Sequence, residues 1–141
     1  MVEAAAKAAK PPSSQVITSS IQSQVEQPIA PASPQISSNQ PVAGEVEREI
    51  WRVFGTKTAV AIAKQESQLD PLVINSIGCC VGVFQIHRYA HASKIPGDTM
   101  EEKTSWLQDY RNNIAFARGM YDAQGWSPWE AYTSGDYRKY L

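Results

Sequence analysis

Ala59-Val60-Ala61-Ile62-Ala63 runs directly into Lys64-Gln65-Glu66-Ser67-Gln68-Leu69-Asp70-Pro71. Thr56 or Thr58 can cap a helix through the apolar run, and Pro71 requires it to end by Asp70, because proline disfavours helical backbone in the residue before it. Five consecutive apolar positions leave no polar face there, so the helix is read as buried. Glu66 follows near its C-terminal end. The helix macrodipole puts partial negative charge at that end, and dipole and desolvation both oppose ionisation, so the spacing predicts a carboxyl pKa above the ordinary range. Such a group can serve as a general acid. The plainer alternative is that Glu66 pairs with Lys64 or Arg88, or emerges into solvent.

The flanking elements also read as helices. Val46, Ile50, Val53 and Phe54 recur at helical spacing before Gly55, a natural stop. Leu72 to Gly82 is glycine-bearing and β-branched, consistent with a loop or a short hairpin, and a further short helix is expected from Phe84. Asp98 with Glu101, or Thr99 with Glu102, has capping-box spacing for a single helix in which Trp106, Tyr110, Ile114, Ala117 and Tyr121 form one stripe. Gly125 ends it, Pro128 can start another, and Tyr137 and Tyr140 close the chain with aromatic contacts. The fold class predicted is therefore all-α, with room for a minor β-hairpin.

Where the domain begins is a matter of composition. The 141 residues include 4 Trp, 6 Tyr and 3 Phe, all at or after Trp51. Pro11 to Gly44 instead holds six Pro, eight Ser and six Gln, with Glu26 as its one charged residue. A segment without aromatics cannot bury enough apolar surface to offset its ordering entropy. Residues 1–44 are accordingly expected to be a disordered Ala-rich lead and Pro/Ser/Gln-rich linker, and 45–141 the folded domain. Glu3-Ala4-Ala5-Ala6-Lys7 matches a helical spacer repeat, and the first ten residues lack the apolar core of a secretion signal. With 13 Lys+Arg against 14 Asp+Glu the formal net charge is −1. That balance argues against nucleic-acid binding, which needs a basic surface. No apolar run approaches the roughly 20 residues that span a bilayer, so stable membrane insertion is not expected.

Glu66-Ser67, then Gly82-Val83-Phe84-Gln85-Ile86, then Ala131-Tyr132 stand in a recognisable order and spacing, with Ile62-Ala63-Lys64-Gln65 before the first and Leu69-Asp70-Pro71 after it. From about Ile50 to Leu141 the sequence resembles the soluble lytic transglycosylase-like family, which has a lysozyme-like fold. The family is marked by Glu-Ser at a helix end, a Gly-Leu-Met-Gln-Ile segment and a later Ala-Tyr-Asn. The resemblance implies that Glu66 is the catalytic acid/base cutting the β-1,4 bond between N-acetylmuramic acid and N-acetylglucosamine in peptidoglycan. It implies that Ser67 supports Glu66, that Gln85 hydrogen-bonds sugar N-acetyl or hydroxyl groups, and that Tyr132 contacts Glu66 or the sugar. No cofactor is implied; the partner is the glycan strand, the expected state is monomeric, and the substrate places the protein outside the cytoplasmic membrane.

In that family the muramic acid C6 hydroxyl is the nucleophile, so one carboxyl suffices and a 1,6-anhydro ring results. A hydrolytic lysozyme on the same fold usually needs a second acid; Asp70, Glu130 and Asp136 are the candidates, each with a plain structural explanation as well. A glycan-binding module without catalysis is the third reading. Two features depart from the family: Thr133 stands where Asn is usual, and Cys79-Cys80 precede Gly82. Adjacent cysteines pair only across a distorted peptide, so two free thiols are the expectation. His87 and His91 have the spacing of a metal pair, but Arg88 replaces the zincin Glu and no third ligand is evident; surface histidines on a helix are expected, and no metal. Trp126 and Trp129 could stack on sugar rings, but clustered tryptophans in a domain this small are read as core.

Overall fold

The computed structural model describes residues 41–141. The lead and most of the linker lie outside the described residues. The boundary at 44 needs correction, since helix α1 (Ala43–Phe54) already contains Ala43 and Gly44.

In α1, Val46 and Ile50 are fully buried at the spacing of one helical face. Gly55 ends it in left-handed backbone, φ 70°, where a side chain would be strained. The Thr56 hydroxyl then accepts from the Ala59 amide at 3.2 Å and caps α2 (Lys57–Ser67). All five apolar residues 59–63 are buried. The helix ends inside the limit set by Pro71, because Gln68 and Leu69 both adopt left-handed backbone, at φ 58° and 66°.

Strands β1 (Cys80–Val81) and β2 (Ile86–His87) form an antiparallel hairpin with Cys80 opposite His87 and Val81 opposite Ile86; Ile74 adds a bridge to Val81. This is the minor hairpin, displaced from 72–82 toward the Gly82–Gln85 turn. The helix expected from Phe84 does not form. Left-handed backbone at Gly82 (φ 81°) and Gln85 (φ 48°) closes the chain into the turn instead.

After a 3₁₀ turn at Ala92–Lys94, the expected single striped helix is two: α3 (Met100–Leu107) and α4 (Tyr110–Gln124). Thr99 and Glu102 form the capping box of α3. The break has a local cause. Asp109 caps α4 through the Arg111 amide at 2.9 Å, while the Asn112 and Asn113 side-chain amides bond the Trp106 and Leu107 carbonyls that a continuous helix would have used. Within the stripe Tyr110, Ile114 and Ala117 remain buried, with Trp106 and Tyr121 at the margins. Gly125 ends α4; the four-residue α5 (Glu130–Thr133) and a 3₁₀ segment (Asp136–Tyr140) complete the chain.

The domain is all-α apart from the hairpin. Its core joins Val46, Ile50, Ile62, Phe84, Ile86, Leu107 and Ile114. Phe54, Phe84, Tyr121, Trp126 and Trp129 make an aromatic cluster beside it, with Trp126 centred 5.2 Å from Phe54 and 5.5 Å from Trp129. Among the described residues no helix is long and apolar enough to cross a membrane.

Candidate active site

An open cavity of about 810 Å³ lies where the end of α2, the hairpin and the Pro128–Ala131 segment meet. Glu66 lines it, one residue before the end of α2. Among the described residues no cation pairs with it: Lys64 reaches Glu47 at 3.8 Å, and Arg88 donates to the Thr104 hydroxyl at 2.6 Å. Burial pushes the Glu66 carboxyl from the ordinary 4.5 up to about 7; the nearby Glu130 carboxylate adds to the rise, and the facing Ala131 backbone amide opposes it. Near neutral pH the group is therefore held between its acid and base forms, the condition for giving up a proton and taking one back.

Gln85 enters the same cavity. Its amide nitrogen donates to the Gly82 and Val73 carbonyls at 3.1 and 3.3 Å, which orients the side chain. Trp129, expected in the core, is buried but also forms part of the wall, its indole N–H donating to the Phe84 carbonyl at 3.0 Å. Glu130 and Asp136 line the cavity too, whereas Asp70 is used outside it, accepting from the Leu72 amide at 2.9 Å.

Two of the expected site residues lie outside the cavity lining. Ser67 is buried, and its hydroxyl donates to the Val83 carbonyl at 2.8 Å, with the Ala63 carbonyl 3.2 Å away. It braces the hairpin turn and is not among the residues facing the cavity. Tyr132 is exposed, stacked on Tyr137 with ring centres 5.1 Å apart, and is likewise outside the lining. The helix turn explains this: α5 directs Ala131 toward Glu66, so the next residue, about 100° further round, points elsewhere.

Asn113 was not anticipated. Fully buried on α4, it accepts from the Phe84 amide at 2.8 Å and donates to the Val81 and Leu107 carbonyls, both at 2.9 Å. With Ser67 and Trp129 it holds the Val81, Val83 and Phe84 backbone groups of the turn that presents Gln85. A Cβ on Gly82 would lie 2.3 Å from the Asn113 amide nitrogen. The available signal was a polar residue on the buried face of α4, between Tyr110 and Ala117.

His87, on β2, and His91, in the turn after it, both line the cavity, and neither is on a helix. His87 Nδ1 accepts from the Ala90 amide at 3.2 Å. Burial, and then Lys94 and His87, hold the His91 pKa below its ordinary value, so it is neutral at pH 7. The expectation of two free thiols is overturned. Cys79 and Cys80 are joined in a disulfide across a trans peptide. Asn75 braces the pair, its side-chain oxygen accepting from both cysteine amides at 3.0 and 3.3 Å.

The chain matches no protein-family model, no curated protein and no solved structure.

Proposed function

We propose that this domain is a peptidoglycan lytic transglycosylase acting on the β-1,4 bond between N-acetylmuramic acid and N-acetylglucosamine, with Glu66 as its single acid/base. The observation that carries the reading is a half-buried carboxyl that pairs with no cation among the described residues, held at a pKa of about 7 in the wall of an open cavity. The ordered motifs around Glu66, Gln85 and Ala131 support it. In the first step Glu66 protonates the glycosidic oxygen; the C1–O bond breaks and the leaving sugar departs with its 4-hydroxyl restored. Glu66, now ionised, takes the proton from the muramic acid C6 hydroxyl, whose oxygen bonds to C1 and closes the 1,6-anhydro ring. No water is consumed. The substrate places this work outside the cytoplasmic membrane.

One observation favours a hydrolytic second reading: Glu130 and Asp136 share the cavity with Glu66, and either could activate water. Mass spectrometry of soluble products from purified peptidoglycan separates the two. Anhydro-muropeptides released by wild type and absent with Glu66→Gln support the transglycosylase. Reducing-end products assign the hydrolase, and a folded wild type that binds the wall but releases nothing leaves a binding module.

A further inference from the structure

The wall of the cavity includes a second chemically distinctive group, the Cys79–Cys80 disulfide. Both cysteines line the cavity, as do Asn75 and Ile77 from the same loop. Ile77 is 81% exposed, an isoleucine that nothing in the domain covers. Ile77 and two bonded sulfurs make an apolar surface, suited to the C–H face of a pyranose ring.

The loop is tied tightly around the disulfide. Asn75 accepts from both cysteine amides and donates to the Cys79 sulfur at 3.3 Å. The Cys79 carbonyl accepts from the Arg88 amide at 2.9 Å, and the Cys80 carbonyl from the Asn75 amide at 3.1 Å. Cys80 belongs to β1, opposite His87. Cys79 precedes the strand, and the S–S bond holds the two sulfurs together. Once reduced, the two thiols must separate to van der Waals contact, roughly 3.5–4 Å, so the wall that contained the bonded sulfurs changes shape.

We propose that the Asn75–Cys80 loop is a saccharide-contacting wall whose shape is set by the Cys79–Cys80 disulfide, so that a dithiol reductant switches ligand binding. This rests on the saccharide reading above. The redox step balances: the dithiol gives two electrons and two protons, the Cys79–Cys80 bond breaks to two thiols, and the reductant closes to its own disulfide. Both cysteines are only partly buried and line an open cavity that admits a small reductant.

The chain contains 2 cysteines, so a reductant has no other thiol target in it. Full-length protein, oxidised or treated anaerobically with dithiothreitol, is titrated with a soluble N-acetylglucosamine oligomer by calorimetry; iodoacetamide and mass spectrometry then count the free thiols. The expected result is two alkylated cysteines after reduction and none before, with affinity weakened by about tenfold. Cys79→Ser/Cys80→Ser, shown folded by near-ultraviolet circular dichroism, should bind like the reduced protein and ignore dithiothreitol. Equal or tighter binding after reduction overturns the inference, as does a disulfide that dithiothreitol leaves intact. If the oxidised protein binds no oligomer, the saccharide reading itself falls and takes this inference with it. Should the double variant not fold, reduced wild type still decides the matter.

Discussion

Replacing Glu66 by Gln should abolish glycan cleavage and yet stabilise the domain at alkaline pH. The folded state raises the carboxyl from 4.5 to about 7, whereas the unfolded chain leaves it ordinary. Between those values the native protein holds a proton that the unfolded chain has released. The raised pKa therefore favours folding fully below pH 4.5, and that advantage is lost as pH rises through 7. At about 1.36 kcal/mol per pKa unit the ceiling is about 3 kcal/mol, and water reaching the half-buried carboxyl reduces it to about 1–2 kcal/mol. Gln has the same shape and no charge, so it escapes this cost. In a domain of this size the difference corresponds to about 5–15 °C in Tm. Calorimetric melts of both proteins from pH 4 to pH 9 should coincide at the acid end, diverge between about pH 4.5 and 7 and stay apart above that, the variant melting higher. Every other titrating group is common to both proteins, so the difference isolates Glu66. A Tm difference that stays constant over that range would refute the buried, raised carboxyl and the acid/base role built on it.

Glycan cleavage should fall as pH rises above about 7, following loss of the Glu66 acid form. Glu130→Gln should move that alkaline limb to lower pH while anhydro products persist; complete loss of product would point to Glu130 as a second catalytic carboxylate. Asn113→Ala leaves the Phe84 amide and the Val81 and Leu107 carbonyls without their partners; at about 1–3 kcal/mol per orphaned buried group, urea unfolding should show a loss of at least about 3 kcal/mol. Gly82→Ala places a Cβ 2.3 Å from Asn113 Nδ2 and 2.7 Å from the Leu107 carbonyl at φ +81°; the urea midpoint should fall by a similar amount, and a midpoint like wild type would show that the turn is not locked as described.

The parts of this protein legible in the sequence are those with causes lying within a few residues. The apolar run 59–63, the Thr99–Glu102 capping box and the stops at Gly55 and Gly125 set the helix positions through periodicity and caps, whereas the rise of the Glu66 pKa comes from burial and then from Glu130, both products of the closed fold. What only the tertiary structure decided depends on partners far along the chain. Ser67 reaches Val83 across 16 residues, Asn113 reaches Phe84 across 29, and Trp129 reaches Phe84 across 45. Those bonds turn an expected helix at Phe84 into a braced hairpin and withdraw Ser67 from the cavity. Asn112 and Asn113 likewise divide the long helix by taking its free carbonyls. Glu130 joins Glu66 in the cavity, and Tyr132 leaves it, because of how α5 sits against α2. Local propensity assigns each residue a backbone and a face, but a side chain's partner is set by which buried polar groups must be satisfied once the core closes.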